Sequence, residues 1–130
     1  MSDQSKDLSI DGTQSTPEIR GDWDAGVLSL RGDSYPENTF EIFDRVIGWV
    51  ENFLSDGSRA LRVELSLVYL NTSSIRAMID ILDVLEAAHG RGQAVDLRWF
   101  YDHRNERVAE LAGDFKEDYT FPFQILPLGE

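Results

Sequence analysis

The sequence predicts an α/β fold: a two-layer sandwich in which a mixed sheet of about five strands carries helices mainly on one face. Three observations lead there. Strand-like and helix-like hydrophobic periods alternate along most of the chain, the strand runs interleave apolar with charged residues, and 130 residues with 42% hydrophobic content suit one domain with its own core. A sheet covered on both faces would show continuous apolar strands instead.

Residues 1–16 hold only Leu8 and Ile10 as sizeable apolar groups and read as a flexible or loosely docked arm, with the domain proper spanning 17–130. The runs Ile19–Trp23 and Val27–Arg31 flank Asp24-Ala25-Gly26, a short glycine-containing connection that predicts a β-hairpin. From Pro36 to Leu54, the residues Phe40, Phe43, Ile47, Val50 and Leu54 mark the stripe of an amphipathic helix, ended by Asp56-Gly57. Leu61, Val63, Leu65, Leu67 and Tyr69 alternate with polar residues as a strand with one buried face, although Val68-Tyr69-Leu70 is apolar on both sides.

A second helix is expected from Thr72 or Ser73 to His89, with Ile75, Met78, Ile79, Leu82 and Leu85 on its core side and Gly90 as its stop. Val95, Leu97 and Trp99 form the next strand, a third helix runs from near His103 to Phe115, and Phe121, Phe123 and Ile125 make a last strand. Pro122 places that strand at a sheet edge. Right-handed crossovers between parallel strands then bring the helix starts at residues 34–38, 71–74 and 101–105 to one edge, where open α/β sheets bind their ligands.

Composition narrows the function. Asp plus Glu number 24 against 12 Lys plus Arg, a formal charge of −12 that repels phosphate backbones and anionic lipid, so nucleic acid is a poor partner and membrane insertion is not expected. No run approaches the roughly 18 apolar residues of a spanning helix, and the polar start lacks a signal-peptide core, which points to the cytoplasm. With no cysteine and two histidines, neither thiolate catalysis nor a metal site is expected, and nothing calls for a cofactor.

The cluster Asn71-Thr72-Ser73-Ser74 stands where a strand turns into a helix. All four are helix-capping types, and capping alone accounts for them. A helix start also tolerates a phosphate, through its dipole and free N–H donors, so the further reading of this cluster is that one hydroxyl is a phosphorylation site.

The motifs Gly12-Thr13-Gln14-Ser15-Thr16-Pro17, Gly32-Asp33-Ser34-Tyr35-Pro36-Glu37-Asn38, Tyr69-Leu70-Asn71-Thr72-Ser73-Ser74-Ile75, Ala88-His89-Gly90-Arg91-Gly92 and Trp99-Phe100-Tyr101-Asp102 resemble the SiaC family of bacterial biofilm regulators. The resemblance covers nearly the whole chain. It implies a STAS-like fold, as in anti-anti-sigma factors, and a phosphoprotein switched by a partner kinase and a PP2C-type phosphatase. It further implies that the unphosphorylated form binds and activates a diguanylate cyclase, which makes cyclic di-GMP. The family's phosphoacceptor falls on Thr72. The STAS pattern Asp-Ser-Ser-Gly instead points to Ser73, the second choice. Tyr35, Glu37, Asn38, Asn71, Ser73, Ser74, Tyr101, Asp102 and Arg104 are the expected partner-binding residues of that edge, with the phosphate beside Glu37 or Asp102.

Two other readings compete. An anti-anti-sigma factor acting on an anti-sigma partner would share fold and switch. A small hydrolase could draw on Ser73 or Ser74 with Asp102 and His103, but adjacent Asp102 and His103 place a carboxylate poorly behind an imidazole, and neither a Gly-x-Ser-x-Gly elbow nor a phosphate-binding Gly-x-x-x-x-Gly-Lys loop is present. No catalytic residue is assigned, and the chain is expected not to be an enzyme.

Overall fold

The structure is a computed structural model that describes residues 6–55 and 57–128. Its elements follow in the order β1 (Leu8–Ile10), β2 (Glu18–Asp22), β3 (Val27–Ser34), α1 (Thr39–Leu54), β4 (Leu61–Leu70), α2 (Thr72–Gly90), β5 (Val95–Asp102), α3 (Glu106–Lys116) and β6 (Phe123–Leu128). The six strands form one sheet in sequence order, β1-β2-β3-β4-β5-β6. β1, β2 and β3 pair antiparallel, and β3 through β6 run parallel, joined by the three helices. Parallel neighbours of this kind need a crossover connection, and each helix supplies one.

The strand period sorts side chains by face. Leu28, Leu30, Val63, Leu65, Leu67, Leu97 and Trp99 are fully or almost fully buried beneath the helices, where they meet Phe43, Val46, Val50, Met78, Leu82 and Ala112. Burying each large side chain contributes roughly 1.5–3 kcal/mol of transfer free energy. The intervening residues Arg62, Glu64, Asp96 and Arg98 lie on the other face, where the Asp96 carboxylate stands 3.4 Å from Arg62 and 3.8 Å from Arg98. One covered and one charged face is the two-layer arrangement the alternation predicts.

The strand count differs from the expected five because Leu8–Ile10 forms an additional edge strand. This segment lies within the arm expected to be flexible or loosely docked. Its anchor is apolar: Leu8 is buried, and the Trp49 indole Nε1 donates to the Lys6 carbonyl at 2.8 Å. Gly21 permits the approach, since a Cβ there would come within 2.8 Å of the Trp49 ring. Residues 1–5 of the arm, and Asp56 of the expected helix stop, lie outside the described residues. The last strand does occupy an edge, as Pro122 predicts.

Two helices begin later than the periodicity suggests. α1 starts at Thr39, not Pro36, because Pro36 lies in the turn whose carbonyl accepts the Thr39 hydroxyl at 3.0 Å. α3 starts at Glu106, not near His103, because β5 continues to Asp102 and the Asn105 side chain caps the helix by accepting from Val108 N–H. Ile79, expected in the core, is partly exposed on α2.

The turn between β2 and β3 depends on Gly26, which adopts φ +72°. Its N–H donates to the Asp22 carbonyl and its own carbonyl accepts from Arg62 N–H, both at 2.9 Å. A Cβ would sit 2.7 Å from the Ala60 carbonyl oxygen. Gly26→Ala is therefore expected to cost about 2 kcal/mol in urea unfolding, whereas an unchanged midpoint would contradict this turn geometry.

Candidate functional site

Because β3, β4 and β5 share a direction, their C-terminal ends and the helix starts that follow lie along one sheet edge. At its centre the chain leaves β4 through Asn71, which is extended (φ −77°, ψ 176°) and caps α2 by accepting Ser74 N–H on its side-chain oxygen at 2.9 Å. The Asn71 backbone N–H donates to the Ser34 carbonyl at 3.0 Å, and the Ser34 and Ser74 hydroxyls share a buried hydrogen bond at 2.7 Å. The end of β3 is thereby tied to the start of α2.

The three adjacent hydroxyls consequently differ. Ser74 is 0% exposed, so the expectation that it meets a partner at the surface is corrected: its hydroxyl is a core group satisfied by Ser34. Ser73 is half-buried. Thr72 is exposed, and its hydroxyl makes no hydrogen bond with any described residue. It stands at the first helical position, where backbone N–H groups lack intrahelical acceptors and the dipole favours negative charge.

The rest of the edge is unusually apolar. Gly32 and Ser34 of β3 pair with Leu67 and Leu70 of β4, so β4 carries one extra residue. Val68 faces outward by the strand alternation, and the bulge turns Tyr69 outward beside it, at 54% and 53% exposure. The Tyr69 ring meets Tyr35 edge-on at 5.9 Å between centroids. Phe40 at the start of α1 is 69% exposed, and Leu128 at the end of β6 is also exposed. Val68, Phe40 and Leu128 were not anticipated as site residues. The only sequence signal was Val68-Tyr69-Leu70, which is apolar on both faces where a half-buried strand should alternate.

On the β5 side, Asp102, Arg104 and Asn105 line a depression of about 560 Å³ with Val68. Arg104 holds the Asp102 carboxylate by its backbone N–H (2.9 Å), Nε (3.1 Å) and Nη2 (2.8 Å). These bonds hold the Asp102 carboxyl well below the usual carboxylate range, the side-chain bonds from Arg104 being the largest cause and its backbone N–H the next. Tyr101 is half-buried, and Glu37 and Asn38 are exposed, the Asn38 amide donating to Glu41 at 3.1 Å.

Of the groups the hydrolase reading would use, Ser74 is bonded to Ser34, Asp102 to Arg104, and His103 Nδ1 lies 3.2 Å from the Leu128 carbonyl and 3.8 Å from Asp102, while Ser73 is half-buried. Among the described residues no cluster of three or more metal-binding side chains occurs. What the edge offers chemically is a free hydroxyl beside exposed aromatic and aliphatic groups.

Comparison with known proteins converges on one group. The family model of the SiaC family regulatory phosphoprotein matches residues 10–128. The crystal structure of the diguanylate cyclase SiaD in complex with its activator SiaC from Pseudomonas aeruginosa contains a chain 65% identical to this one (TM-score 0.92, covering 94% of this chain and 100% of that chain). Apo-SiaC from the same organism is 63% identical (TM-score 0.89, covering 97% of this chain and 99% of that chain). An uncharacterised protein of P. aeruginosa strain UCBPP-PA14 is 66% identical over 119 residues, 92% of this chain and 94% of that protein.

Two outcomes follow from the edge geometry. Ser74→Ala strands the buried Ser34 hydroxyl and is expected to cost about 1–3 kcal/mol in thermal or urea unfolding; an unaffected stability would argue against the buried bond. For Asp102, the folded-state pKa is depressed, so the ion pair supports folding above the ordinary aspartate value of 3.8 and that support fades as pH falls below it. NMR titration of Arg104→Gln should therefore show Asp102 protonating at higher pH than in the parent, and an unmoved titration would contradict the pairing.

Proposed function

The chain belongs to the SiaC family of regulatory phosphoproteins, and from that premise we propose that it binds and activates a diguanylate cyclase when Thr72 is unphosphorylated and releases it when Thr72 carries phosphate. The observation that carries this reading is the crystal structure of the related activator bound to its cyclase. Three features of the chain support it. Thr72 is the exposed member of the hydroxyl cluster, its helix start tolerates a dianion, and Tyr35, Phe40, Val68 and Tyr69 give the same edge the exposed apolar groups that protein partners bury.

The proposed switch works through solvation. A partner surface shaped for a neutral hydroxyl among apolar side chains would have to bury a charge of about −1.5 to −2 once the threonine is modified. Burying such a group without a counter-charge costs several kcal/mol, enough to reverse docking. Tyr35, Glu37, Asn38, Asn71, Ser73, Tyr101, Asp102 and Arg104 would form the surrounding contact region, with Asn71 acting through its cap and Asp102 and Arg104 as a preformed pair. A kinase and a PP2C-type phosphatase would set the phosphorylation state from the same edge. The cytoplasm is the proposed setting, where cyclase, kinase and phosphatase would meet the chain, and none of the described helices is long and apolar enough to cross a membrane.

Thr72→Ala is expected to fold with stability within about 0.5 kcal/mol of the parent, retain cyclase binding, and lose the phosphopeptide spanning residues 71–76 in mass spectra of protein isolated from cells. Phosphate persisting on that variant would transfer the site to Ser73. Loss of cyclase binding by the stably folded variant would count against the neutral hydroxyl as the docking form.

A further inference from the structure

We propose that Arg76 is the built-in receptor for a phosphate on Thr72, closing an ion pair across the first turn of α2 when the threonine is modified; this rests on the Thr72 reading above. α2 buries Ser74, Ala77, Met78, Ile81, Leu82, Leu85 and Ala88, which leaves Thr72 and Arg76 exposed together, four residues apart. Side chains at that spacing are neighbours on a helix surface. Direction favours the contact as well. Helical Cα–Cβ bonds tilt toward the N-terminus, so a long side chain at position 76 lies over the turn that begins at residue 72.

Arg76 is also available. Among the described residues it makes no hydrogen bond or ion pair, whereas Arg104 is held by Asp102 and Arg62 and Arg98 flank Asp96 on the far face of the sheet. Asp80, one turn further along α2, is its natural competitor, yet no ion pair joins them. A cation placed N-terminal to its acid is the weaker arrangement on a helix, and the arginine leans away from that side. A phosphate presents three acceptor oxygens and up to two charges, and the planar guanidinium can bind it through two parallel hydrogen bonds.

Modification would then change the edge twice. It adds an anion at Thr72 and commits the guanidinium of Arg76, which is otherwise open to solvent. The pair also explains how a chain of net charge −12 holds a further dianion without losing its helix start. Fixed locally, the phosphate meets a cation and the free first-turn amides together.

The test uses the full chain with phosphothreonine placed at position 72 by codon reassignment, beside the unmodified chain and the Arg76→Gln variant of each. In ¹⁵N spectra the Arg76 Nε–H resonance should move downfield and exchange more slowly with water only when the phosphate is present. In urea unfolding, phosphorylation should favour the folded state about threefold more with Arg76 than in Arg76→Gln, as a charge-assisted pair at this spacing implies. An Arg76 Nε–H resonance indifferent to the phosphate, or equal effects in both backgrounds, overturns the pairing. Because the phosphothreonine is encoded at position 72 and needs no kinase, that failure is separate from failure of the Thr72 reading, which would appear as cellular phosphate on another residue.

Discussion

The buried hydrogen bond between the Ser34 and Ser74 hydroxyls, with Asn71 bridging strand and helix beside it, is the constraint on which the edge depends. A hydroxyl buried without a partner costs about 1–3 kcal/mol, so these two groups must keep one another satisfied. That requirement sets where α2 begins and how it is rotated. With Ser74 turned inward and Asn71 occupied by its cap, the intervening Thr72 is turned outward at the first helical position. The exposed hydroxyl is thus a geometric consequence of the buried ones.

Around it, the β4 bulge supplies what an ordinary strand end would lack. One extra residue breaks the period of two, and Tyr69 leaves the buried face to stand with Val68, Tyr35 and Phe40 at the surface. The adjoining Asp102–Arg104 pair neutralises itself, leaving Arg76 as an uncommitted cation on the same helix face as Thr72. Within the proposed mechanism these parts have distinct tasks: the apolar groups provide docking energy, the hydroxyl provides control, and the arginine receives the added charge.

Much of this could be read from residues alone, where local rules and packing agree. The alternation through Leu61–Leu67 and Val95–Trp99 named both the strands and their buried face, and the capping residues at 71–74 located the start of α2 to within a residue. What escaped was set by distant partners. Leu8 becomes a strand residue because Trp49 and Gly21 form its seat, which a run of only three residues cannot announce. Ser74 and Thr72 are chemically alike as cap residues, and only a serine forty positions away decides which is buried. The bulge left a trace, an apolar run where alternation should continue, but its register depends on β3 pairing. Family resemblance, not periodicity, singled out Thr72.

The most direct measurement is a paired calorimetric titration of a SiaD-type diguanylate cyclase with the unmodified chain and with the same chain carrying phosphothreonine at position 72, cyclic di-GMP synthesis being followed in parallel. The account predicts tight binding and stimulated synthesis with the unmodified chain, and at least about tenfold weaker binding, or about 1.4 kcal/mol, with the phosphorylated one. Equal affinity and equal stimulation by both forms would contradict it.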